Sequence, residues 1–295
     1  MKKLVKTFLL GSLVVATAIQ AQSIKTIKGF QHVESVVKEG RYLYAADIGK
    51  ALTPDAKDGD GKVRKLDANG TVLDSAFVKE QLNAPKGLAV DKGVLFLTDI
   101  DRLVAIELKT GTKLYQIDFS TVTHFLNDIA VWDSNTLYVS ATDTNKLFKV
   151  NLINKAFTEV IIDKPVQGIN GLFCNKKSSL LYVNGLGSNN KANGVLGFIN
   201  LKDNTFTQLA TAEGLYDGLA VVNEVLYASN WVAFEKKGIL LSIQLSNHRI
   251  NRLPLFEPIA GPADFIINGN TMIVPAMLTG ELHFISIDTS LTQKL

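Results

Sequence analysis

The sequence predicts an all-β chain: a six-bladed β-propeller with four-stranded blades, its ring closed by the N-terminal strand. Three observations carry this. One short pattern recurs six times, its spacing is that of four-stranded blades, and no stretch longer than a turn shows helical periodicity. The pattern is a polar residue, a small or acidic residue and two or three apolar residues, then a polar turn and an apolar strand that usually contains Leu-Tyr. First positions of successive copies are 52, 41, 43, 47 and 46 residues apart. That period belongs to propeller blades and is too long for leucine-rich or short helical repeats.

Taken in order, the chain opens with Lys2, Lys3 and Lys6, an apolar run from Thr7 to Ile19, and Gln20-Ala21-Gln22-Ser23. This reads as a secretory signal peptide over residues 1–21, cleaved after Ala18 or Ala21, and implies a periplasmic or secreted protein. No cysteine follows the apolar run, which argues against a lipid anchor, and no later segment is apolar enough to span a membrane. A strand from Ile24 to Phe30 follows and has no partner in the first repeat. It is expected to supply the missing outer strand of the last blade, because the sixth copy runs out of chain after Ile287.

The first blade is read from Glu34-Ser35-Val36-Val37, Tyr42-Leu43-Tyr44 and Gly61 to Leu66. The second is read from Lys86-Gly87-Leu88-Ala89-Val90, Val94-Leu95-Phe96 and Arg102 to Ile106. Asn127-Asp128-Ile129-Ala130-Val131, Thr136-Leu137-Tyr138, Lys146 to Val150 and Phe157 to Ile161 make the third. The fourth is Asn170-Gly171-Leu172-Phe173, Leu181-Tyr182-Val183, Val195 to Ile199 and Thr205 to Leu209. The fifth starts at Asp217-Gly218-Leu219-Ala220-Val221 with Leu226-Tyr227-Ala228 and Ile239 to Ile243. The sixth starts at Ala263-Asp264-Phe265-Ile266-Ile267 with Met272-Ile273-Val274 and Glu281 to Ile285. Alternation and β-branched or aromatic content support each strand. No Pro- or Gly-rich linker interrupts residues 22–295, which are read as one domain.

Composition narrows the function. The chain has 295 residues, 46% hydrophobic and 20% charged, which excludes disorder, collagen and coiled coil. Its 31 basic and 28 acidic residues give +3, and removal of the leader takes three lysines away, leaving a neutral mature chain. Neutrality argues against nucleic-acid binding. The lone Cys174 forms no intrachain disulfide or thiolate zinc cluster and is expected to be a buried small hydrophobe. A monomer acting on a small molecule is expected, with a protein partner as a further possibility.

In a propeller the innermost strand of each blade starts near the axis, so the first residues of the repeats should face one another: Glu34, Lys86, Asn127, Asn170, Asp217 and Ala263. Two carboxylates and two amides converging there, with backbone carbonyls and water, make a hard-cation site of the calcium type. Zinc, manganese or magnesium can also occupy oxygen cages. Asp128 and Asp264, one position later, are candidates to hold the ligands or act as bases. Lys86 would repel the metal unless it pairs with Asp128 or Asp264 or reaches for an anionic substrate.

These motifs, Asn127-Asp128-Ile129-Ala130-Val131, Asn170-Gly171-Leu172, Asp217-Gly218 and Glu34-Ser35-Val36, resemble those of the senescence marker protein/gluconolactonase/luciferin-regenerating-enzyme family and the related paraoxonases, over essentially the whole mature chain. Those families are divalent-cation-dependent lactonases and esterases. The resemblance implies Glu34, Asn170 and Asp217 as metal ligands, Asn127 as a ligand or a substrate contact, and Asp128 beside the reacting carbonyl or water. It implies a cation that polarises a lactone or ester carbonyl while Asp128 or Asp217 activates water. The chain departs from the family in two places. Lys86 and Arg102 are the cations on hand where sugar-lactone enzymes use an arginine, and His124 is the sole histidine near a motif, the candidate for a catalytic role that paraoxonases give to a pair.

Three long loops, Asp55 to Gly61, Gly185 to Gly194 and Asn230 to Gly238, are expected to wall a pocket on the same face. Trp231, Phe234 and Tyr216 would supply its apolar contacts and Trp231 would touch substrate. The Asp55 to Gly61 run lacks the closing glutamate of a calcium loop and reads as a solvated loop. The sequence thus leaves two functions in view, a cation-dependent hydrolase and a non-catalytic, cation-stabilised propeller that binds a ligand or protein at the same face. An assembly factor would require a large exposed apolar patch.

Overall fold

A computed structural model describes residues 24–189, 191–209 and 211–287. The expected leader over 1–21 lies outside the described residues. Six four-stranded antiparallel sheets are strung in sequence order, each with its first strand innermost, and they form a six-bladed β-propeller. Blade one holds Val33–Glu39, Tyr42–Asp47, Lys62–Asp67 and Val72–Asp74; blade two Pro85–Asp91, Val94–Asp99, Arg102–Glu107 and Lys113–Asp118. Blade three holds Leu126–Asp133, Thr136–Ala141, Lys146–Asn151 and Ala156–Val160, and blade four Ile169–Asn175, Leu180–Gly185, Leu196–Asn200 and Thr205–Gln208. Blade five holds Tyr216–Val222, Val225–Asn230, Ile239–Gln244 and Ile250–Arg252. Blade six holds Ile266–Asn268, Thr271–Ala276 and Glu281–Ser286.

The outer strand of blade six is Ile24–Lys28, paired antiparallel to Glu281–Ser286 in the register Ile24↔Ile285 to Lys28↔Glu281, with a Lys28 to Glu281 ion pair of 3.0 Å at its end. The ring closes as the sequence predicts, because an orphan strand and a blade lacking its fourth strand satisfy each other's backbone groups.

Each blade is too thin to bury its own faces, so the core is divided among the blade interfaces. One apolar cluster lies between each neighbouring pair; between blades two and three, for example, Phe96, Phe119, Leu137 and Phe148 pack together, with Phe119 stacked on Phe157 at 3.9 Å between centroids. A seventh cluster caps one face around the axis: Ile48, Ile100, Trp231 and Met277, with Leu186 packed against it. Each of these five follows directly on a second strand, so the sequence position, not the blade, decides which side chains roof the channel.

The inner strand of blade six is shorter than the sequence predicts, starting at Ile266 instead of Ala263. Pro262 has no amide hydrogen to give. The amides of Ala263 and Asp264 instead donate to Pro275 O (3.1 Å) and, across to blade one, Glu34 O (3.0 Å). The Ala263 bond stays within blade six, and the Asp264 bond goes to the seam that joins the last blade to the first.

Candidate functional site

The starts of five inner strands share a defect that the sequence pattern only hints at. The pairing of first and second strands slips between Val33 and Ser35, Pro85 and Leu88, Leu126 and Ile129, Ile169 and Leu172, and Tyr216 and Leu219. These bulges fall on Glu34, Lys86, Asn127, Asn170 and Asp217, the first positions of the repeats. A bulge re-aims a side chain out of the pleat, and here it turns five polar residues from the blade faces toward the axis. A small polar residue on the second strand repairs the broken ladder. Ser140 Oγ, Asn184 Oδ1 and Ser229 Oγ accept from the amides of Asp128 (2.9 Å), Gly171 (2.9 Å) and Gly218 (2.8 Å).

Second-strand side chains also stitch the blades. Asn184 Nδ2 donates to Asp217 O (2.6 Å), Ser229 Oγ to Ala263 O (3.2 Å), and Thr98 Oγ1 to Asn127 O. With Glu34 O taken by the Asp264 amide, the carbonyls of Glu34, Asn127, Asp217 and Ala263 are engaged in seams between blades. Gly218 is required by this crowding, because a Cβ there would lie 2.6 Å from Asp264 Cα.

Glu34, Lys86, Asn127, Asn170 and Asp217 line one cavity of about 260 Å³, at the small end of ligand pockets. All five are at most 5% exposed. Around them stand Leu52, Pro54, Phe125, Leu186, Trp231, Phe234 and Met277. Two of the three expected loops wall this cavity, with Leu186 from the second and Trp231 and Phe234 from the third; in the first blade Leu52 and Pro54, just ahead of the Asp55 to Gly61 run, line it instead. Leu186, Met277, Phe125, Leu52 and Pro54 were not among the contacts expected from the sequence. The first two share the signal of standing one residue past a second strand. Tyr216 does not join them. It precedes the bulge, so its side chain turns sideways into the core between blades four and five, where its hydroxyl donates to Ala212 O (3.0 Å).

Trp231 does more than line the wall. Its indole N–H donates to Asp217 Oδ2 (2.9 Å), which leaves Asp217 Oδ1 to face the cavity. That oxygen and Glu34 Oε2 are buried without a hydrogen-bond partner. Asn127 donates its amide to Thr142 Oγ1 (3.0 Å), which directs its carbonyl oxygen away from Thr142. Burial pushes the carboxyls of Glu34 and Asp217 up, Asp217 to about 8, and the neighbouring Asp217 and Asp264 add to the rise at Glu34. Uncompensated negative charge and two orphaned hard oxygens are what a divalent cation would relieve, so the donor set fits such an ion. Among the described residues no three Asp, Glu, His or Cys side chains form a metal cluster, and the ligand set would rest on two carboxylates and two amides.

The remaining predicted groups sit elsewhere. Asp128 is buried but lines the lower part of the channel, with Asp264, and not the cavity. Its oxygens accept from the amides of Ile129 (2.6 Å) and, in blade four, Leu172 (2.6 Å). Asp264 accepts from Ser35 Oγ (3.1 Å). Neither pairs with Lys86. His124 is largely exposed on the rim, 3.5 Å from Asp101 and outside the cavity lining. Arg102 is held by Asp99 (2.7 Å), as Arg64 is by Asp47 (2.8 Å), so neither arginine is available to a ligand in the cavity. Cys174 is partly buried, and burial pushes its thiol up to about 12. A larger cleft of about 340 Å³ opens between the loops of blades five and six, but its charges pair among themselves, Lys236 with Glu257 and His283 with Glu281.

No protein-family profile matches the chain, and no curated protein matches it in sequence. Its fold is similar to that of solved propellers. A structural genomics protein of unknown function from Bacteroides thetaiotaomicron superposes with a TM-score of 0.68 at 12% identity, over 91% of this chain and 76% of that one. Virginiamycin B lyase from Staphylococcus aureus gives 0.61 at 15% identity, over 90% and 100%, and a chain of the nidogen/laminin complex 0.59 at 12%, over 85% of each. At these identities the likeness shows the fold alone. The resemblance to the gluconolactonase group thus rests on the column motifs. No helix among the described residues is long and apolar enough to cross a membrane.

Proposed function

We propose that the chain is an exported, divalent-cation-dependent hydrolase of lactones or esters, with calcium as the preferred ion. The observation that carries the proposal is the pair of unpartnered buried oxygens, Glu34 Oε2 and Asp217 Oδ1, in one cavity with Asn127 and Asn170. Glu34, Asn170 and Asp217, with Asn127 beside them, would hold the ion, which when bound would polarise a carbonyl and stabilise the oxyanion. Trp231 fixes the rotamer of Asp217 so that one oxygen stays turned inward. Of the two aspartates expected to activate water, Asp217 lines the cavity, whereas Asp128 is committed to two backbone amides outside it. The apolar walls keep the reacting carbonyl away from bulk water. Export follows from the leader expected over residues 1–21.

The second reading, a cation-stabilised binding module, is favoured by the position of His124 outside the cavity, which leaves no histidine there. Purified protein with bound calcium, tested on a panel of lactones and aryl esters beside the Asp217→Ala and Glu34→Ala variants, separates the two. Hydrolysis that is lost in folded variants supports the enzyme. An ion bound without turnover supports the binding module.

A further inference from the structure

Lys86 differs from the partly buried arginines Arg64 and Arg102. Arg64 and Arg102 each grip a buried aspartate, whereas Lys86, 1% exposed, has one hydrogen bond, from Nζ to Ala84 O (3.2 Å), and the face of Phe125 at 4.4 Å. No ion pair among the described residues reaches it. Glu34 attracts it most strongly, yet Glu34 Oε2 remains without a partner. Burying an ammonium without an anion is costly, and a side chain able to make three hydrogen bonds is left with two donors unused. The cavity therefore has a positive pole on blade two and a negative pole on blades one and five, with the neutral amides Asn127 and Asn170 also in its lining. Its walls are apolar and extend outward, because Leu52 and Phe234 line the cavity and are also 42% and 45% exposed.

We propose that this cavity takes an amphipathic carboxylate, its anionic group on Lys86 Nζ and its apolar body along Trp231, Phe234 and Leu52. The proposal rests on the cavity being the ligand site and deepens the hydrolase reading by naming the substrate class: esters or lactones that carry a carboxylate and an aromatic or branched apolar part. The carboxylate supplies the anion missing at Lys86. It also lies between the ammonium and any cation held by Glu34 and Asp217, two positive centres that would otherwise repel in so small a space.

Equilibrium binding tests this without relying on turnover. Calcium-loaded full-length protein at pH 7 is titrated calorimetrically with 2-naphthoate, 2-naphthylmethanol, 2-naphthylmethylamine and acetate. The expected order places naphthoate about tenfold or more ahead of the alcohol, as a charge-assisted hydrogen bond requires, and the amine and acetate behind both. In Lys86→Met the preference for naphthoate over the alcohol should collapse to about twofold or less, and Lys86→Arg should retain part of it. Equal affinity for acid and alcohol, preference for the amine, an unchanged ranking in Lys86→Met, or no binding of any probe overturns the proposal. If Lys86→Met does not fold, the wild-type ranking decides. A protein that binds naphthoate through Lys86 but hydrolyses nothing upholds this inference and removes the hydrolase.

Discussion

Replacing Asp217 by asparagine should stabilise the cation-free protein and abolish its response to calcium. The carboxyl of Asp217 is buried, with one oxygen on Trp231 and the other unpartnered, and burial raises it from 3.8 to about 8. A group whose folded pKa is raised holds its proton longer in the native state. Its full contribution to stability is present below about pH 4 and is lost as pH rises through about 8. At pH 7 the wild type without cation therefore carries a penalty on the order of 2 to 4 kcal/mol, the lower figure allowing for the share that belongs to the coupling with Asp264. Asparagine accepts from Trp231 equally well and carries no charge. With roughly 2–4 °C per kcal/mol for a chain of this size class, Asp217→Asn in chelator should melt about 5–15 °C above wild type at pH 7 and level with it at pH 4. Adding calcium should raise the wild type and leave the variant unmoved. The reasoning is refuted if the variant melts below wild type in chelator at pH 7, or if the difference does not depend on pH.

Further outcomes follow from the same geometry. Ser229→Ala removes the acceptor of the Gly218 amide and the donor to Ala263 O, and should cost about 1–3 kcal/mol, read as a fall in Tm of several degrees. Gly218→Ala drives a methyl onto Asp264 Cα, so thermal denaturation should show a loss of about 1–3 kcal/mol, and calcium titration a weakened affinity because Asp217 is adjacent. Without cation, the wild-type Tm should decline between pH 4 and pH 8, since Asp217 and Asp264 (raised to about 7) both ionise over that range, and saturating calcium should flatten the profile. Removing residues 1–28 bares the Glu281–Ser286 edge and should yield a less stable, aggregating chain in light scattering.

The ring was legible because each blade repeats one pattern and each repeat begins with the residue that meets the axis; Glu34, Asn127, Asn170 and Asp217 could be collected by aligning six first positions. The neighbours of that column were harder to read. A bulge breaks the two-residue alternation, so Asp128, one step after Asn127, leaves the cavity and is clasped by Leu172 of the next blade, while Tyr216, one step before Asp217, points into the core. The strand repeats contain a further signal in hindsight. A polar residue recurs late in the second strand of blades two to five, at Thr98, Ser140, Asn184 and Ser229, and an apolar one directly follows the second strand in every blade but the third, at Ile48, Ile100, Leu186, Trp231 and Met277. Ser140, Asn184 and Ser229 repair bulges, Thr98, Asn184 and Ser229 sew neighbouring blades together, and the apolar set roofs the channel. The isolation of Lys86 could not be read at all, because it depends on which carboxylates its Nζ fails to reach.

The most direct test of the account is calcium content and thermal stability of the mature wild type beside Glu34→Ala, with the lactone and aryl-ester panel run on the same samples. The wild type should show about one ion per chain, a calcium-dependent rise in Tm, and ester or lactone hydrolysis, all absent from the folded variant. A wild type that binds no divalent ion, or that hydrolyses the panel equally well in chelator, contradicts it.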